Sequence, residues 1–333
     1  MAHDPPVGSW AMSRKLGLCL VAALVVTAAC SGGDDDDSSD DTKPPSSTTT
    51  VPPAVTADDL CKGPLTLDGD ATVANAELKE VSGVVVSRRN ASVLWAHNDS
   101  GAGPDVYALG EAGTNLGRYR LQGGATAIDW EDMALGRGPE DGVDYLYLGD
   151  IGDNAGKRAD IRVYRAPEPA VTAAGPATDG TIADVERLTL TYADGPHDAE
   201  TLLADPVSGD LFVVTKQWDG KASGVYRIPA DASPSAPVAM ERVGEVPAVE
   251  GQLATGGDVS VDGSMVVLRT YGKVLVFGRP EGQTVAEALA GEPCEAQAPA
   301  ETQGEAIAFA PGGRGYVTIA EAEKPHVNWL RLG

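Results

Sequence analysis

The stretch Glu200-Thr201-Leu202-Leu203-Ala204 decides the fold class, because its pattern of a polar residue followed by an apolar run recurs along the chain. Further copies begin at Ser82, Glu131, Asp258 and Glu305, and successive first residues lie 49, 69, 58 and 47 positions apart. Repeats of roughly 40 to 50 residues are typical of the blades of a β-propeller, each of which is one short antiparallel sheet. The sequence therefore predicts an all-β protein with a β-propeller fold.

Further short β-rich runs follow each copy and are bounded by Gly, Asp and Pro, which favour turns. We expect five four-stranded antiparallel blades. The last copy provides only three strands before Gly333, and residues 64–67 supply the fourth, which closes the ring and removes the exposed sheet edges. Six blades stay open as an alternative, because the 69-residue interval can hold a degenerate repeat. A two-sheet sandwich is the main rival, but it leaves the repeat unexplained.

The composition limits both the architecture and the partners. The 333 residues include 40 glycines and 23 prolines, which favour many short elements over long helices. The formal net charge is −24, and a field of this sign repels the phosphates of nucleic acids. We therefore expect no nucleic-acid partner and an attraction for cations.

The N-terminal segment has the features of a bacterial lipoprotein leader. Arg14 and Lys15 precede an apolar run, residues 16–29, that is too short to span a bilayer but suits a signal peptide. Small residues come directly before Cys30, a pattern that resembles the lipobox, in which the cysteine carries the lipid. We predict a signal peptide over residues 1–29, with Met12 as the real start; a leader cleaved without lipidation is the alternative.

Residues 30–59 are predicted to form a disordered tether between the lipidated Cys30 and a propeller domain at residues 60–333. An acidic run and a Pro/Ser/Thr tract fill this stretch, which lacks the apolar residues that a core needs. With Cys19 removed and Cys30 lipidated, Cys61 and Cys294 are left in an oxidising compartment, and we predict that they form a disulfide. Two buried free thiols are the alternative.

A ring of acidic residues is predicted at one mouth of the central channel. The first residue of each inner strand and the residues after the second strand meet there, because both lie at one end of a hairpin. The predicted metal ligands are Glu131, Glu200, Asp258 and Glu305. Converging carboxylates need a counterion, and hard oxygen ligands suit Ca²⁺ better than zinc. In the alternative interpretation they line a water-filled channel and are neutralised by shared protons and nearby cations.

The same mouth is expected to hold Asp129, two residues before Glu131, and Asp99, which a simple turn also explains. Four other side chains are predicted to contact a ligand, and they are Lys216, Arg269, Asn98 and Asp150. The two cations could hold a phosphate or a carboxylate, or could serve as internal ion-pair partners.

Two histidines near this mouth, His97 and His197, are the candidate general bases of a hydrolase. Other catalytic patterns are missing from the sequence: it contains neither a Gly-x-Ser-x-Gly nucleophile elbow nor a phosphate-binding Gly-Lys-Ser/Thr loop.

Short motifs at the starts of the inner strands resemble those of two propeller families. Glu80-Val81-Ser82-Gly83, Asp129-Trp130-Glu131-Asp132 and Gln303-Gly304-Glu305-Ala306-Ile307 are similar to the "ELSGLA" and "DxEGIA" motifs of SdiA-regulated-domain propellers and phytase-like esterase propellers of bacterial envelopes. Residues 316–321 resemble the "YxVSE" motif that follows. The chain departs from these families at Asp132 and Ala306, where they often have glycine, and in its five copies, because both are typically six-bladed. The resemblance implies a propeller with a calcium-associated central site.

Two functions follow from these observations. We expect an extracytoplasmic, membrane-anchored module that binds a small anionic ligand or an envelope protein, with Ca²⁺ at the acidic mouth. The alternative is a calcium-dependent envelope hydrolase acting on esters, lactones or phosphoesters. A propeller scaffold supports either, so the fold alone does not decide between them.

Overall fold

The computed structural model describes residues 54–333. The predicted signal peptide, the predicted lipidation site Cys30 and the tether up to residue 53 lie outside the described residues. A search of the described helices finds none that is long and apolar enough to cross a membrane.

Short strands make up most of the described chain. The first are β1 (Leu65–Thr72), β2 (Val81–Val86), β3 (Val93–Asn98), β4 (Asp105–Gly110) and β5 (Asn115–Leu121). The next are β6 (Trp130–Arg137), β7 (Asp144–Asp150), β8 (Ile161–Pro167), β9 (Gly180–Ile182), β10 (Glu186–Tyr192), β11 (Ala199–Ala204), β12 (Leu211–Thr215), β13 (Ser223–Ile228) and β14 (Val238–Val246). The last are β15 (Ala254–Val259), β16 (Met265–Thr270), β17 (Val274–Gly278), β18 (Cys294–Ala296), β19 (Gly304–Phe309), β20 (Gly315–Ala320) and β21 (His326–Leu332).

Helices are short. They are α1 (Ala57–Lys62) and α2 (Val285–Leu289), together with the 3₁₀ turns Pro247–Val249 and Pro311–Gly313. Both α-helices begin with a capping box, in which Thr56 and Thr284 each exchange hydrogen bonds with the acidic residue three positions later. Residues 57–59, at the end of the predicted tether, lie in α1.

Consecutive strands pair as antiparallel meanders. Within residues 54–333 the sheets have the orders β2-β3-β4-β5-β9, β6-β7-β8-β10, β11-β12-β13-β14, β15-β16-β17-β18 and β19-β20-β21-β1. The second and third of these join into one continuous eight-stranded sheet, because β10 pairs in parallel with β14. The N-terminal β1 pairs with β21, the last strand, so the two ends of the described chain share a sheet.

The inner strands of these groups follow one another in space. β2 contacts β6, β6 contacts β11, β11 contacts β15, β15 contacts β19, and β19 contacts β2 again. Within the described residues the buried apolar side chains form clusters between neighbouring groups of strands, so the core is spread around the molecule. The fold is therefore all-β and propeller-like.

The predicted disulfide is confirmed. Cys61 in α1 is bonded to Cys294 in β18, across a sequence separation of 233 residues. The bond ties the start of the described chain to a strand late in the sequence.

Candidate metal site

A β-bulge near the start of each inner strand positions the side chains of the candidate site. In β2, β6, β11, β15 and β19, the pairing with the following strand gains one extra residue directly after the first pair. Such a bulge re-aims a side chain away from the regular ladder. The residues that follow the first pair are Ser82, Glu131, Glu200, Thr255 and Glu305.

Asp258 does not belong to this set, which corrects the prediction of four carboxylates at one mouth. Thr255 occupies the equivalent position in β15, and Asp258 lies three residues further along the strand. The sequence pattern fails here because Gly256 and Gly257 replace the apolar residues that mark the other copies. The Asp258 carboxylate accepts hydrogen bonds from the backbone amides of Val259 and Phe309 instead.

Three carboxylates converge near the start of β6. Oxygen atoms of Asp99, which follows β3, of Asp129, which precedes β6, and of Glu131 all lie within 4.8 Å of one another. Glu131 is buried, and Ser82 Oγ lies 3.5 Å from its Oε2 atom. We refer to Asp99, Asp129 and Glu131 as the carboxylate cluster.

Gly152 leaves the space that two of these carboxylates occupy. A Cβ atom at this position would lie 2.2 Å from Glu131 Oε1 and 2.6 Å from Asp129 Oδ2. Any larger residue would therefore displace the carboxylates, and the absence of a side chain allows them to approach. The Gly152 amide also donates to the Asp129 carbonyl at 3.1 Å, which fixes the loop against the cluster.

Burial and neighbouring carboxylates raise the pKa of all three acids in the cluster. Burial and, after it, the negative charges of Asp99 and Asp198 raise the pKa of Asp129 to about 6. Burial also raises the pKa of Glu131 well above its ordinary value, and Glu200 is the carboxylate that contributes most after burial. The pKa of Asp99 is raised for the same reason. A bound cation would relieve this repulsion, because it favours the charged form of each acid.

Glu200 acts electrostatically on the cluster, because its negative charge raises the pKa of Glu131. Lys216 Nζ donates to Glu200 Oε1, and it also donates to the Tyr271 hydroxyl at 2.8 Å. The other oxygen, Oε2, is buried and has no hydrogen-bond partner among the described residues. Burial raises the pKa of Glu200 to about 8, although Lys216 opposes this effect.

Glu305 shows the same electrostatic stress. Burial raises its pKa to about 9, and the negative charge of Glu200 adds to the effect. Of the four predicted metal ligands, Glu131, Glu200 and Glu305 therefore share this acidic mouth.

The predicted ligand-binding residues all have internal partners. Lys216 pairs with Glu200, and the fully buried Arg269 donates to Glu301 Oε2 at 2.7 Å. The Asn98 side chain holds the loop before β2, since its amide donates to the Glu77 carbonyl at 2.7 Å. Asp150 forms an ion pair of 2.9 Å with Arg158. This arrangement matches the internal ion-pair alternative for Lys216 and Arg269 and leaves neither as an exposed anion clamp.

Neither predicted catalytic histidine forms a hydrogen bond with the carboxylate cluster among the described residues, although His97 Nε2 has no partner there. His97 is completely buried against Trp130, and burial lowers its pKa to about 4, so the ring is neutral. His197 Nε2 is shared between Asp194, at 3.1 Å, and the Tyr226 hydroxyl, at 2.9 Å.

One large apolar side chain stands at the edge of the mouth. Trp218 follows β12 and is 59% exposed, and its indole nitrogen donates to Asp198 Oδ2 at 2.8 Å. Lys216 Nζ lies 4.9 Å from the centre of the same ring. Asp198 and Lys216 thus hold the indole in place, while more than half of its surface stays exposed.

Comparisons with known proteins leave the chain without a family. No protein-family model and no curated protein matches it. Among solved structures, it is similar to Kuenenia stuttgartiensis hydrazine synthase, with a TM-score of 0.42, 11% identity and coverage of 77% of this chain and 97% of that chain. The PQQ-bound aldose sugar dehydrogenase of Streptomyces coelicolor gives a TM-score of 0.42, 13% identity and coverage of 80% and 98%. A chain of a nidogen/laminin complex gives a TM-score of 0.40 and 12% identity, and the match covers 73% of this chain and 73% of that chain. Similarity at this level assigns no activity to the chain.

Proposed function

We propose that the chain is a lipid-anchored, extracytoplasmic five-bladed β-propeller that binds its partner through a Ca²⁺ ion in the carboxylate cluster. The closed sequence of contacts among β2, β6, β11, β15 and β19 supports five blades. The pairing of β1 with β21 supports closure of the ring by the N-terminal strand.

The proposed location rests on the N-terminal sequence and is supported by the disulfide. Disulfides persist in oxidising compartments, so the Cys61–Cys294 bond supports a location outside the cytoplasm. In the proposal, Cys30 carries the lipid, and residues 30–56 connect the membrane to the domain.

The observation that carries the metal proposal is the convergence of Asp99, Asp129 and Glu131 on the space beside Gly152. The charge of Glu200 raises the pKa of Glu131, and its buried Oε2 atom has no hydrogen-bond partner among the described residues, so in the proposal it supplies a further oxygen. Ca²⁺ binds six to eight oxygen ligands and accepts irregular carboxylate geometry, so this donor set suits it. Coordination positions that the protein leaves open would bind a small anionic ligand or an acidic group of an envelope protein.

Thermal melting with and without Ca²⁺ tests this proposal. We expect saturating Ca²⁺ to raise the melting temperature of the EDTA-treated protein, because a ligand that binds only the folded state stabilises it. Glu131→Gln should remove most of this shift, and Glu241→Gln, which changes an exposed glutamate in β14, should keep it. An equal shift in the wild type and in Glu131→Gln, or no shift in the wild type, would reject the site.

A calcium-dependent hydrolase is the second candidate. It is supported by the same carboxylate cluster, because a Ca²⁺ ion held there would polarise an acyl or phosphoryl oxygen of a substrate. Asp129→Asn should then abolish the hydrolysis of esters, lactones or phosphoesters in a protein that stays folded. If the Ca²⁺-loaded wild type hydrolyses none of these substrates, the binding function is retained and the hydrolase is rejected.

A further inference from the structure

A cavity lies at the opposite ends of the inner strands from the carboxylate cluster. Its volume is about 510 Å³, which is within the range of sites for small organic molecules. The residues that line it come from the last part of β2, β6, β15 and β19 and from the turns that follow. They are Val85, Val86, Ser87, Arg88, Leu135, Asp258, Val261, Asp262, Phe309, Ala310, Pro311, Gly312 and Gly313.

Most of the wall is apolar, but one carboxylate opens into the space. Asp258 Oδ1 accepts the Val259 amide at 2.8 Å and Oδ2 accepts the Phe309 amide at 2.9 Å, so the backbone of two strands holds the carboxylate in place. A carboxylate has about four acceptor sites, and among the described residues no side chain donates to Asp258. It therefore has acceptor capacity left for a ligand.

The charges around the cavity favour a cation. Arg88 is the one basic residue in the described lining and lowers the pKa of Asp258, but its guanidinium already pairs with Asp144 at 3.2 Å. Asp262 adds a second negative charge at the rim. Burial raises the pKa of Asp258 to about 6, so this group is still ionised at neutral pH.

We propose that this cavity binds a small organic ammonium ion, with the ammonium group paired to Asp258 and the apolar body between Val85, Leu135 and Phe309. The site is separate from the carboxylate cluster and does not depend on the proposed metal. A charge-assisted hydrogen bond to a fixed carboxylate supplies the selectivity, and the apolar walls supply the contact area.

Calorimetric titration in EDTA with three matched probes tests the site. Phenethylammonium should bind with one-to-one saturation, at least about tenfold more tightly than 2-phenylethanol, because only the cation gains the charged hydrogen bond. The anion 3-phenylpropionate should bind more weakly still. Tighter binding of the anion would identify Arg88 as the recognised group and would overturn the proposal, as would the absence of saturable binding.

Two variant pairs place the binding in this cavity. Asp258→Asn should remove the preference for the ammonium probe over the alcohol, and Glu241→Gln, at an exposed position, should leave it unchanged.

Val261→Trp should fill part of the cavity and weaken the binding of all three probes. Its control, Val207→Trp, changes an equally exposed valine that lines a different cavity. Because Val261 is 57% exposed, this variant remains informative if Asp258→Asn does not fold. Unchanged binding in Val261→Trp would reject the cavity as the site.

Discussion

Gly152 connects the local backbone to the chemistry of the carboxylate cluster. Its missing side chain provides the space in which Glu131 Oε1 and Asp129 Oδ2 approach each other. We expect Gly152→Ala to reduce Ca²⁺ affinity by at least about tenfold, which corresponds to the loss of one good ligand interaction. Gly272→Ala is the matched control, because a Cβ there meets no atom within 4 Å. Calorimetric Ca²⁺ titration measures both, and equal affinities in the two variants would contradict this role.

Glu305 gives a pH dependence that can be checked without metal. Its folded-state pKa is about 9, against an ordinary value of 4.5, so the folded protein holds a proton that the unfolded chain releases. The free energy of unfolding therefore falls as the pH rises above 4.5, and this loss levels off above pH 9. Glutamine carries no charge at any pH, so Glu305→Gln removes this loss of stability.

We therefore expect Glu305→Gln to stabilise the EDTA-treated protein at pH 8 by on the order of 3 kcal/mol and to have little effect near pH 4.5. Urea denaturation at both pH values measures the difference. If the variant loses stability equally at both values, Glu305 is held in its charged form and the interpretation is wrong.

Sequence reasoning at the residue scale placed Asp99, Asp129 and Glu131 at the acidic mouth, but it selected only Glu131 among them as a metal ligand. The repeat pattern selects the first polar residue of each copy, which identified Glu131, Glu200 and Glu305. Asp99 and Asp129 lie outside the apolar runs, and Asp99 follows a strand of another sheet, so its closeness to Glu131 depends on how two sheets pack. The spacing of Asp129 and Glu131, two positions apart along an extended chain, is the signal that places both on one side.

At the scale of elements, the repeat predicts strands where apolar runs are present and fails where glycine replaces them. The closing strand β1 follows from the need to pair the edge of the last blade. In β15 the sequence Ala254-Thr255-Gly256-Gly257 contains few apolar residues. The predicted start of the strand was therefore three residues too late, and Asp258 was placed at the mouth with the carboxylate cluster instead of at the opposite end of the strand. The bulges could not be predicted, because they are defined by the partner strand.

The disulfide is the element-scale feature with the largest expected effect on stability. Cys61 and Cys294 close a loop that spans 233 positions, and the chain-entropy estimate for such a loop is about 5 kcal/mol, an upper value. We expect the double variant Cys61→Ser/Cys294→Ser to lower the free energy of unfolding by about 2–4 kcal/mol. Urea denaturation of the two proteins measures this, and an unchanged free energy would show that the bond does not constrain the unfolded chain.

At the scale of the whole molecule, the succession of inner strands separates the two proposed sites. The starts of these strands gather the carboxylate cluster, and their ends line the cavity that contains Asp258. The net charge of −24 favours cations at both. The repeat predicted the all-β, propeller-like architecture, whereas the identity of the ligand depends on side-chain geometry that no repeat encodes.

Crystallography of the Ca²⁺-soaked protein, with anomalous scattering data, tests the central proposal most directly. We predict an anomalous peak between the carboxylates of Asp99, Asp129 and Glu131, with protein oxygens at about 2.3–2.6 Å from the ion. The same peak should be missing from crystals of Glu131→Gln. A map without a peak at this position at saturating Ca²⁺, or with the ion bound elsewhere on the propeller, would contradict the proposal that the carboxylate cluster is a calcium site.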